Sequence, residues 1–412
     1  MTTQIHNILF IFREYNDLDH MTPIMYQTLT EPDFNPIIVC MNENFDIKND
    51  FRIQFLKNQF GISAKYIHQL YMPSLLHRMY SFFVCVLPNK TILHKLPILR
   101  DIIKKIKNRF QDMKIYDKEW FKQYCNISDI KLIVLDCVPE RRYIYKSVAS
   151  AKELNIPIFG TPHGLNVIDN DIWNNKAVEQ GKQENEWKWI DHIAVASNRT
   201  RDQYINNGLH PDTLTTLGSA RFCPEWSTIY DSLIGEPSPN PNNQLMVVYM
   251  DQSINYRIHI DDVVNTLESI SQIENVDLVI KPHTRFKLSD DRMYKFGRID
   301  YSHSNHLIKQ AGIVITAFSS IGLEALKNNT ILMYPSFFSD NIPIWAKYKT
   351  CVQVNSIEDT VNAIINIRDG SKQVPYSSSS IQALLETEIS GGTGIDSVLK
   401  AYMKHMREII ET

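Results

Sequence analysis

The stretch that decides the fold runs from residue 131 to residue 161, where KLIVLDCV (131–138) is followed by SVASAKELN (147–155) and IPIFGT (156–161). The outer segments are short and apolar, which predicts buried strands, and the middle segment predicts a helix. A strand, a helix and a second strand in succession form a βαβ unit, whose strands lie parallel in one sheet. The stretch therefore predicts an α/β fold.

The same alternation continues on both sides of this stretch. Before and after it, apolar runs predict strands at 7–12, 35–41, 190–197 and 213–221, and a helix at 199–208 that ends at Gly208. The segment GEPSPNPNN then breaks the pattern, and its prolines and asparagines predict a linker at 223–244. Beyond it the alternation restarts, with strands at 245–253, 276–283, 312–320 and 330–336 and helices at 259–272, 303–311 and 321–329.

The chain is therefore expected to hold two Rossmann-like domains in tandem, at residues 1–222 and 245–390. The C-terminal residues 391–412 are amphipathic at helical spacing and predict a last helix that packs back on the first domain. Ligands of open α/β sheets bind outside the carboxyl ends of the strands. We therefore expect the two domains to face each other across a central cleft.

Composition limits the possible functions. The 412 residues carry a formal net charge of -3, which argues against a nucleic-acid-binding protein. The six cysteines are scattered, which favours reduced thiols in a cytoplasmic protein over a disulfide framework or a zinc site. The N-terminal residues lack the basic segment and long apolar run of a signal peptide, and the apolar run MYSFFVCVLP is too short to cross a bilayer.

One segment, residues 68–120, mixes aromatic, aliphatic and basic residues. Its part at 95–109 alternates lysine or arginine with isoleucine or leucine and predicts a basic amphipathic helix. Such a helix can lie on an anionic membrane surface, which would make the protein peripheral at the inner membrane. The alternative is a helix packed on its own domain with a solvated basic face.

Two strand ends in the first domain carry polar groups. FGTPHGLN (159–166) holds His163, which titrates near neutrality and is a candidate general base, and Gly164, where the backbone can approach a ligand closely. The alternative for His163 is a hydrogen-bonded residue of a turn. LGSARF (217–222) either offers donors to a phosphate or forms a structural turn. Its candidate donors belong to Gly218, Ser219 and Arg221.

Two strand ends in the second domain are suited to an anion. In LVIKPHTRF (278–286), two cations could neutralise a phosphate, and a histidine could donate a hydrogen bond to an oxyanion or leaving phosphate; a solvated turn is the alternative. VITAFSSIGLEALKNN (314–329) places two serines where a strand passes into a helix, so they suit a phosphate or simply cap the helix. The candidates are Lys281, His283, Arg285, Ser319 and Ser320, with Glu324 for a ribose diol.

Together, the Pro-His-Gly, Lys-Pro-His and Ser-Ser-x-x-x-Glu elements resemble those of GT-B glycosyltransferases. More narrowly, they are similar to bacterial surface-polysaccharide transferases: the capsule Kdo transferases and the CDP-glycerol or CDP-ribitol polyolphosphate transferases. The resemblance covers roughly residues 130–340. It departs where Glu324 stands in place of the aspartate usual in polyolphosphate transferases, and where the proline that often follows the histidine directly in Kdo transferases is missing after His283.

The resemblance implies an inverting transferase whose nucleotide-activated donor, a CMP or CDP type, binds the second domain as substrate. It implies no other cofactor. The acceptor, a capsule, lipopolysaccharide or teichoic-type polysaccharide or a lipid-linked glycan, would bind the first domain. The implied catalytic residues are His163 and His283, with Gly164 and Asn166 on the acceptor side. The implied donor-binding residues are Lys281, Arg285, Ser319, Ser320, Glu324, Gly218, Ser219 and Arg221.

Three alternatives remain open. A GT-B sialyltransferase is disfavoured, because LHPDT (209–213) offers a His-Pro but no acidic-Gly motif precedes it. A non-hydrolysing nucleotide-sugar 2-epimerase shares the fold but needs further acid/base carboxylates. The third is a non-catalytic nucleotide-sugar binding module. Since no Asp-x-Asp lies at a strand end, we predict catalysis without a metal ion.

Overall fold

The computed structural model describes residues 4–42, 44–71, 101, 105, 118–137, 148–170, 189–237, 244–252, 257–283, 288–371, 374–392 and 395–412. The chain divides into two compact units. The first unit comprises Met1–Gly164, Ala177–Ser227 and Ser390–Thr412, and the second comprises Leu165–Lys176 and Thr228–Ile389. The predicted basic helix at 95–109 lies outside the described residues except for Asp101 and Lys105.

The strands of the first unit are β1 (His6–Phe12), β2 (Phe34–Cys40), β3 (Lys65–Tyr66), β4 (Ile130–Asp136), β5 (Ile158–Thr161), β6 (His192–Val195) and β7 (Leu214–Thr216). They form one parallel sheet in the order β3-β2-β1-β4-β5-β6-β7. Nearly every residue of β1 and β4 is buried. Parallel strands are covered on both faces, which is why these two read as continuous apolar runs.

The strands of the second unit are β8 (Leu245–Met250), β9 (Val276–Lys281), β10 (Arg298–Ile299), β11 (Ile313–Ile315), β12 (Ile331–Pro335) and β13 (Val352–Val354). They form a second parallel sheet in the order β10-β9-β8-β11-β12-β13. Its centre is apolar because β8, β9 and β11 contribute Val247, Val248, Val279, Ile280, Val314 and Ile315, all fully buried.

The helices of the described residues are α1 (Tyr15–Thr30), α2 (Phe51–Phe60), α3 (Ile67–Tyr71), α4 (Lys118–Ile127), α5 (Asn198–Asn206), α6 (Pro224–Ile234), α7 (Ile260–Ser271), α8 (Ser304–Gln310), α9 (Ile321–Lys327), α10 (Ile344–Lys347), α11 (Ile357–Arg368), α12 (Ser378–Glu388) and α13 (Val398–Glu411). Short 3₁₀ helices lie at Val148–Leu154, Pro211–Thr213, Asp291–Lys295 and Ser336–Phe338. In this part of the chain, no helix has both the length and the hydrophobicity of a membrane span.

Local sequence sets the ends of α5. Ser197 precedes the helix, and its Oγ accepts a hydrogen bond from the Thr200 amide at 3.2 Å. Gly208 lies just beyond the last turn with φ of +93°, a conformation that favours glycine. The amide of Gly208 donates to the carbonyl of Ile205 at 2.9 Å, which satisfies one of the open carbonyls at the helix end.

Each sheet contains a topological switch point, where the chain leaves one strand toward one side and later returns to the other. In the first unit β2 and β3 lie on one side of β1, and β4 to β7 lie on the other. In the second unit β9 and β10 lie on one side of β8, and β11 to β13 lie on the other. The crevices beside β1 and β8 are therefore where ligands of such sheets bind.

The C-terminal helix α13 packs on the first unit, against α1 and β4, as the sequence predicts. Its apolar face is buried through Val398, Leu399, Tyr402, Met403, Met406 and Ile409. The Tyr402 hydroxyl donates to the Gly218 carbonyl at 3.1 Å. Arg407 bridges Glu31 and Asp33, each at 2.6 Å. The expected fold class, two Rossmann-like α/β domains with a C-terminal helix that returns to the first, is confirmed.

The predicted linker is partly helical, because residues 224–234 form α6. Its Trp226 and Tyr230, one turn apart, are both fully buried, and apolar residues at this spacing favour a helix that packs by one face. The boundary between the two units falls inside α6, between Ser227 and Thr228. The prolines and asparagines that predict a linker, in GEPSPNPNN, begin only after α6 has ended.

Five cysteines lie in the described part of the chain, and all five are buried free thiols. Cys137 packs closely against Gly160, and a Cβ added at Gly160 would clash with the Cys137 Sγ. The five are Cys40, Cys125, Cys137, Cys223 and Cys351.

If α13 is an integral part of the first unit, truncating its buried face should destabilise the protein. Met406→Ala removes a fully buried side chain and is expected to lower the free energy of unfolding by about 2–4 kcal/mol. Lys404→Ala, on the exposed face of the same helix, is the matched control and should change it by less than about 0.5 kcal/mol. Urea-induced unfolding measures both, and equal effects would contradict this packing.

Candidate functional site

A cluster of four charged side chains lies at the switch point of the first sheet. Arg13 follows β1, Asp17 lies in the first turn of α1, Asp136 ends β4, and His163 follows β5. The Nδ1 atom of His163 is 3.1 Å from Oδ1 of Asp136 and 3.2 Å from Oδ1 of Asp17. These contacts join the carboxyl ends of β4 and β5 to the first turn of α1.

Arg13 holds the two carboxylates from the other side. Its Nε is 3.0 Å from Oδ2 of Asp17, and its backbone amide donates to the same oxygen at 2.9 Å. Its guanidinium also contacts Oδ2 of Asp136. Both carboxylates therefore lie between a guanidinium and an imidazole.

His163 is the accessible member of this cluster. The side chains of Asp17 and Asp136 are fully buried and that of Arg13 is nearly so, whereas 29% of the His163 side chain is exposed. Because Nδ1 lies against two carboxylates, it carries the hydrogen that is donated to them. The other ring nitrogen, Nε2, makes no hydrogen bond to any residue that the structure describes, so it is the atom left for a ligand.

The charges of the cluster balance only when His163 is protonated. Burial lowers the pKa of His163, but the hydrogen bonds and charges of Asp136 and Asp17 outweigh burial and raise this pKa to about 9. Burial would raise the pKa of Asp17, but the His163 hydrogen bond and the Arg13 charge lower it. Burial, together with the Asp17 charge, raises the pKa of Asp136. The imidazole is thus the proton-exchanging group of the cluster.

The geometry matches a carboxylate–histidine pair used for proton transfer. In such a pair the carboxylate fixes the tautomer and orientation of the ring and stabilises the imidazolium, while the second ring nitrogen exchanges a proton with substrate. Asp17, Asp136 and His163 are also close enough together to ligate a metal ion. Because the Arg13 guanidinium and the protonated His163 ring together compensate the two carboxylates, the cluster has no unpaired negative charge to attract a metal ion, and a proton-transfer centre is the better interpretation.

Arg221, predicted to bind donor phosphate, is buried in a different ion-pair network. Its Nε is 2.5 Å from Oδ2 of Asp19, and Nη1 of Arg52 is 2.9 Å from Oδ1 of the same carboxylate. Gly218 adopts φ of +83°, and its carbonyl accepts the hydroxyl of α13 already described. Ser219 is also buried. The structure gives Gly218 and Arg221 structural contacts, so we base no function on this junction.

A separate pocket of about 210 Å³ lies within the second unit, at the switch point of its sheet. Gln252 follows β8, His283 follows β9, and three residues follow β11, so the carboxyl ends of three neighbouring strands meet here. The opposite wall is formed by residues 165–168. The lining residues are Leu165, Asn166, Val167, Ile168, Gln252, His283, Phe318, Ser319 and Ser320.

Backbone hydrogen bonds fix the segment that forms the opposite wall. The Ile344 amide donates to the Val167 carbonyl at 2.8 Å, and the Asp169 amide donates to the Ile342 carbonyl at 2.7 Å. Lys347 adds an ion pair to Asp169 at 2.8 Å. The wall is therefore held in place by α10 and by Ile342, which lies just before it.

The structure brings together part of the predicted donor and acceptor set. His283, Ser319, Ser320 and Asn166 all line the pocket of the second unit. Asn166 was expected on the acceptor side, whereas the structure places it among the residues proposed for the donor. The predicted helix after the serines, α9, has seven residues.

The remaining predicted residues of the second unit lie elsewhere. Lys281 is buried, its Nζ donates to the Pro282 carbonyl at 3.3 Å, and burial lowers its pKa against the opposing charge of Asp300. Glu324 is buried in α9, 3.8 Å from Nζ of Lys327. Arg285 lies outside the described residues. Lys281 and Glu324 are not among the residues that line the pocket.

Four charged or amide side chains of these sites are absent from the sequence predictions: Arg13, Asp17, Asp136 and Gln252. Three carry a signal that sequence reasoning used elsewhere, a polar side chain at the end of a buried strand. Arg13 directly follows NILFIF, Asp136 ends KLIVLD, and Gln252 follows LMVVYMD. Asp17 has no such signal, because only the first turn of α1 brings it back to the strand ends.

No protein-family model and no curated protein matches this sequence. Its fold, two Rossmann-like α/β domains, is shared with solved structures of low sequence identity. An S. aureus protein, MnaA, solved with UDP, has a TM-score of 0.58 at 11% identity, over 99% of this chain and 97% of its own. A putative UDP-N-acetylglucosamine 2-epimerase from Listeria monocytogenes has a TM-score of 0.58 at 9% identity, over 98% and 97%.

A third structure, the UDP-GlcNAc 2-epimerase from Neisseria meningitidis bound to UDP-GlcNAc, has a TM-score of 0.56 at 10% identity, over 98% of this chain and 100% of its own. At such identities the likeness establishes the fold and nothing more specific. The chain thus has the GT-B-like architecture found in these three proteins.

The charge balance of the cluster predicts an unusual histidine titration. The ring of His163 should titrate with a pKa near 9, and Asp136→Asn should lower that pKa because it removes one of the two carboxylates that stabilise the imidazolium. NMR titration of the histidine rings measures both values. A His163 pKa near 6.5 in the wild-type protein would contradict the described geometry.

Proposed function

We propose that the chain is a metal-independent glycosyltransferase that transfers a sugar or polyol phosphate from a nucleotide-activated donor to a hydroxyl of a glycan acceptor. The observation that carries this proposal is the arrangement of His163. Its Nδ1 is held by two buried carboxylates at 3.1 and 3.2 Å, and its Nε2 is left for substrate. Once the ring has lost its proton, Nε2 is a single reachable proton acceptor, which attack by an acceptor hydroxyl requires.

For a sugar donor, the proposed reaction is one displacement, which inverts the configuration at the anomeric carbon. The acceptor oxygen forms a bond to that carbon while the bond from the carbon to the donor phosphate breaks. Nε2 of His163 takes the hydroxyl proton, and the nucleotide leaves with the bonding electron pair. Asp136 and Asp17 stabilise the imidazolium that results, and the Arg13 guanidinium is paired with both carboxylates. For a polyol phosphate, the same proton transfer would accompany attack at phosphorus.

The pocket of the second unit supports a nucleotide-activated donor. It lies at a switch point, and its polar lining includes Ser319 and Ser320, which the family resemblance assigns to the donor, and His283, which the resemblance makes a catalytic residue. The solved structures of the same fold include one with UDP and one with UDP-GlcNAc. We therefore extend the proposed donors from cytidine to uridine nucleotides. The proposed acceptor remains a bacterial surface polysaccharide or its lipid-linked precursor.

A nucleotide-sugar 2-epimerase is the second candidate. Two of the three solved structures reported above carry that activity in their names, and Asp17 and Asp136 are acid/base carboxylates of the kind it would need. Both carboxylates, however, are fully buried and already bonded to Arg13 and His163. Only the imidazole is accessible, and one accessible acid/base group favours transfer over epimerisation.

The transferase proposal predicts a selective loss of activity in His163→Gln. Transfer from the cognate nucleotide sugar should fall by about 10²–10⁴-fold, because the general base is removed. Binding of UDP or CMP, followed as a thermal shift, should be unchanged, since the pocket lies in the other unit. His210→Gln, at an exposed position of the first unit, is the matched control and should retain full activity. Unchanged transfer in His163→Gln would refute the proposal.

An incubation without acceptor separates the second candidate. Epimerisation breaks and re-forms a C–H bond of the sugar, so in D₂O an epimerase would place deuterium in the nucleotide sugar, which NMR detects. The proposed transferase leaves that C–H bond intact and should show no exchange. Deuterium incorporation that depends on His163 would replace the transferase proposal with the epimerase.

A further inference from the structure

Gln252 is a buried polar residue in the pocket of the second unit that neither the sequence analysis nor the proposed function uses. It lies two residues beyond the end of β8, beside the switch point, and only 6% of it is exposed. Its side chain lines the pocket with His283, Ser319 and Ser320. A carboxamide buried at this position costs stability unless its donors and acceptor find partners.

The protein supplies partners for the carboxamide oxygen only. Oε1 of Gln252 accepts hydrogen bonds from the backbone amides of Ala317 at 3.1 Å and Phe318 at 3.3 Å, and lies 3.4 Å from Oγ1 of Thr316. Backbone amides can only donate, so this network assigns the oxygen and fixes which way the carboxamide faces. The two N–H donors on Nε2 then point elsewhere, and no residue in the described part of the chain accepts from them.

The neighbouring Ser319 and Ser320 can also act as hydrogen-bond donors toward the pocket. The Oγ of Ser319 faces the Ile321 amide at 3.5 Å, which leaves its hydroxyl hydrogen for another acceptor. Ser320 makes no side-chain hydrogen bond at the start of α9. Among the described lining residues there is no carboxylate and no lysine or arginine. The polar part of the pocket thus has no carboxylate and is rich in donors, and it complements a ligand group rich in acceptor oxygens.

We infer that Gln252 is a phosphate-binding residue, whose carboxamide is held by the β11 loop so that both N–H groups donate to phosphoryl oxygens of the bound ligand. Ser319 and Ser320 complete the donor set. The inference rests on the proposed function only in attributing this phosphate to a nucleotide. A donor set without lysine or arginine binds a diphosphate by hydrogen bonds and does not neutralise its negative charge.

The test is Gln252→Glu, which keeps an oxygen to accept from the Ala317 and Phe318 amides but replaces the two donors with an anionic oxygen. Isothermal titration with UDP, CMP and inorganic pyrophosphate should show binding at least tenfold weaker than in the wild-type protein. Gln353→Glu makes the same chemical change at an exposed position of β13 and should bind as the wild type does. Ser320→Ala removes one donor and no observed contact, and should weaken binding about threefold or more. This variant keeps the inference testable if Gln252→Glu fails to fold.

Four results are informative. Weaker binding in Gln252→Glu and Ser320→Ala but not in Gln353→Glu supports the inference. Equal binding in the wild type and both pocket variants overturns it and leaves the transferase proposal intact. Pyrophosphate binding that depends on Gln252, without nucleotide binding or transfer, supports the inference and refutes the proposed function. If the wild type binds neither pyrophosphate nor nucleotide, both are overturned.

Discussion

The arrangement of the first unit depends on one electrostatic constraint, the pairing of two buried carboxylates with two cations. Asp17 and Asp136 are 1% and 0% exposed, and a buried carboxylate without a partner costs several kcal/mol. Arg13 supplies one positive charge, and His163 supplies the other when it is protonated. The same constraint ties the ends of β1, β4 and β5 to the first turn of α1. The proton on His163 therefore has two roles. It stabilises the carboxyl ends of these strands by its charge, and it is the proton that the proposed reaction would move.

The two units use the same topology for different purposes. Each sheet has its switch point beside its first strand, so the carboxyl ends of neighbouring strands gather there. In the first unit those ends carry full charges that compensate one another and leave one ring nitrogen accessible. In the second unit the residues that line the pocket include no carboxylate, lysine or arginine, and a buried carboxamide is oriented by backbone amides at 3.1 and 3.3 Å. The first arrangement suits proton transfer, and the second suits holding an anionic group without reacting with it.

Much of the fold was predictable from the sequence, because parallel strands covered on both faces appear as continuous apolar runs, as in NILFIF and KLIVLD. The site was predictable in part. His163 and His283 follow such runs directly, and the structure places one in the charged cluster and the other in the pocket. Arg221 shows the limit, since its ion pair is with Asp19, 202 residues away in sequence. A local pattern cannot distinguish a cation that binds a ligand from one that neutralises a buried carboxylate of another element.

The pH dependence of the transfer rate tests the central claim most directly. If His163 is the general base, kcat/KM at subsaturating donor should rise tenfold per pH unit and level off near pH 9, where His163 loses its proton. In Asp136→Asn the profile should level off at lower pH, because the carboxylate that raises the histidine pKa is gone, and the plateau rate should fall. A wild-type profile that levels off near pH 6.5, or one that Asp136→Asn leaves unchanged, would contradict the claim that this buried charge balance sets the proton-transfer chemistry.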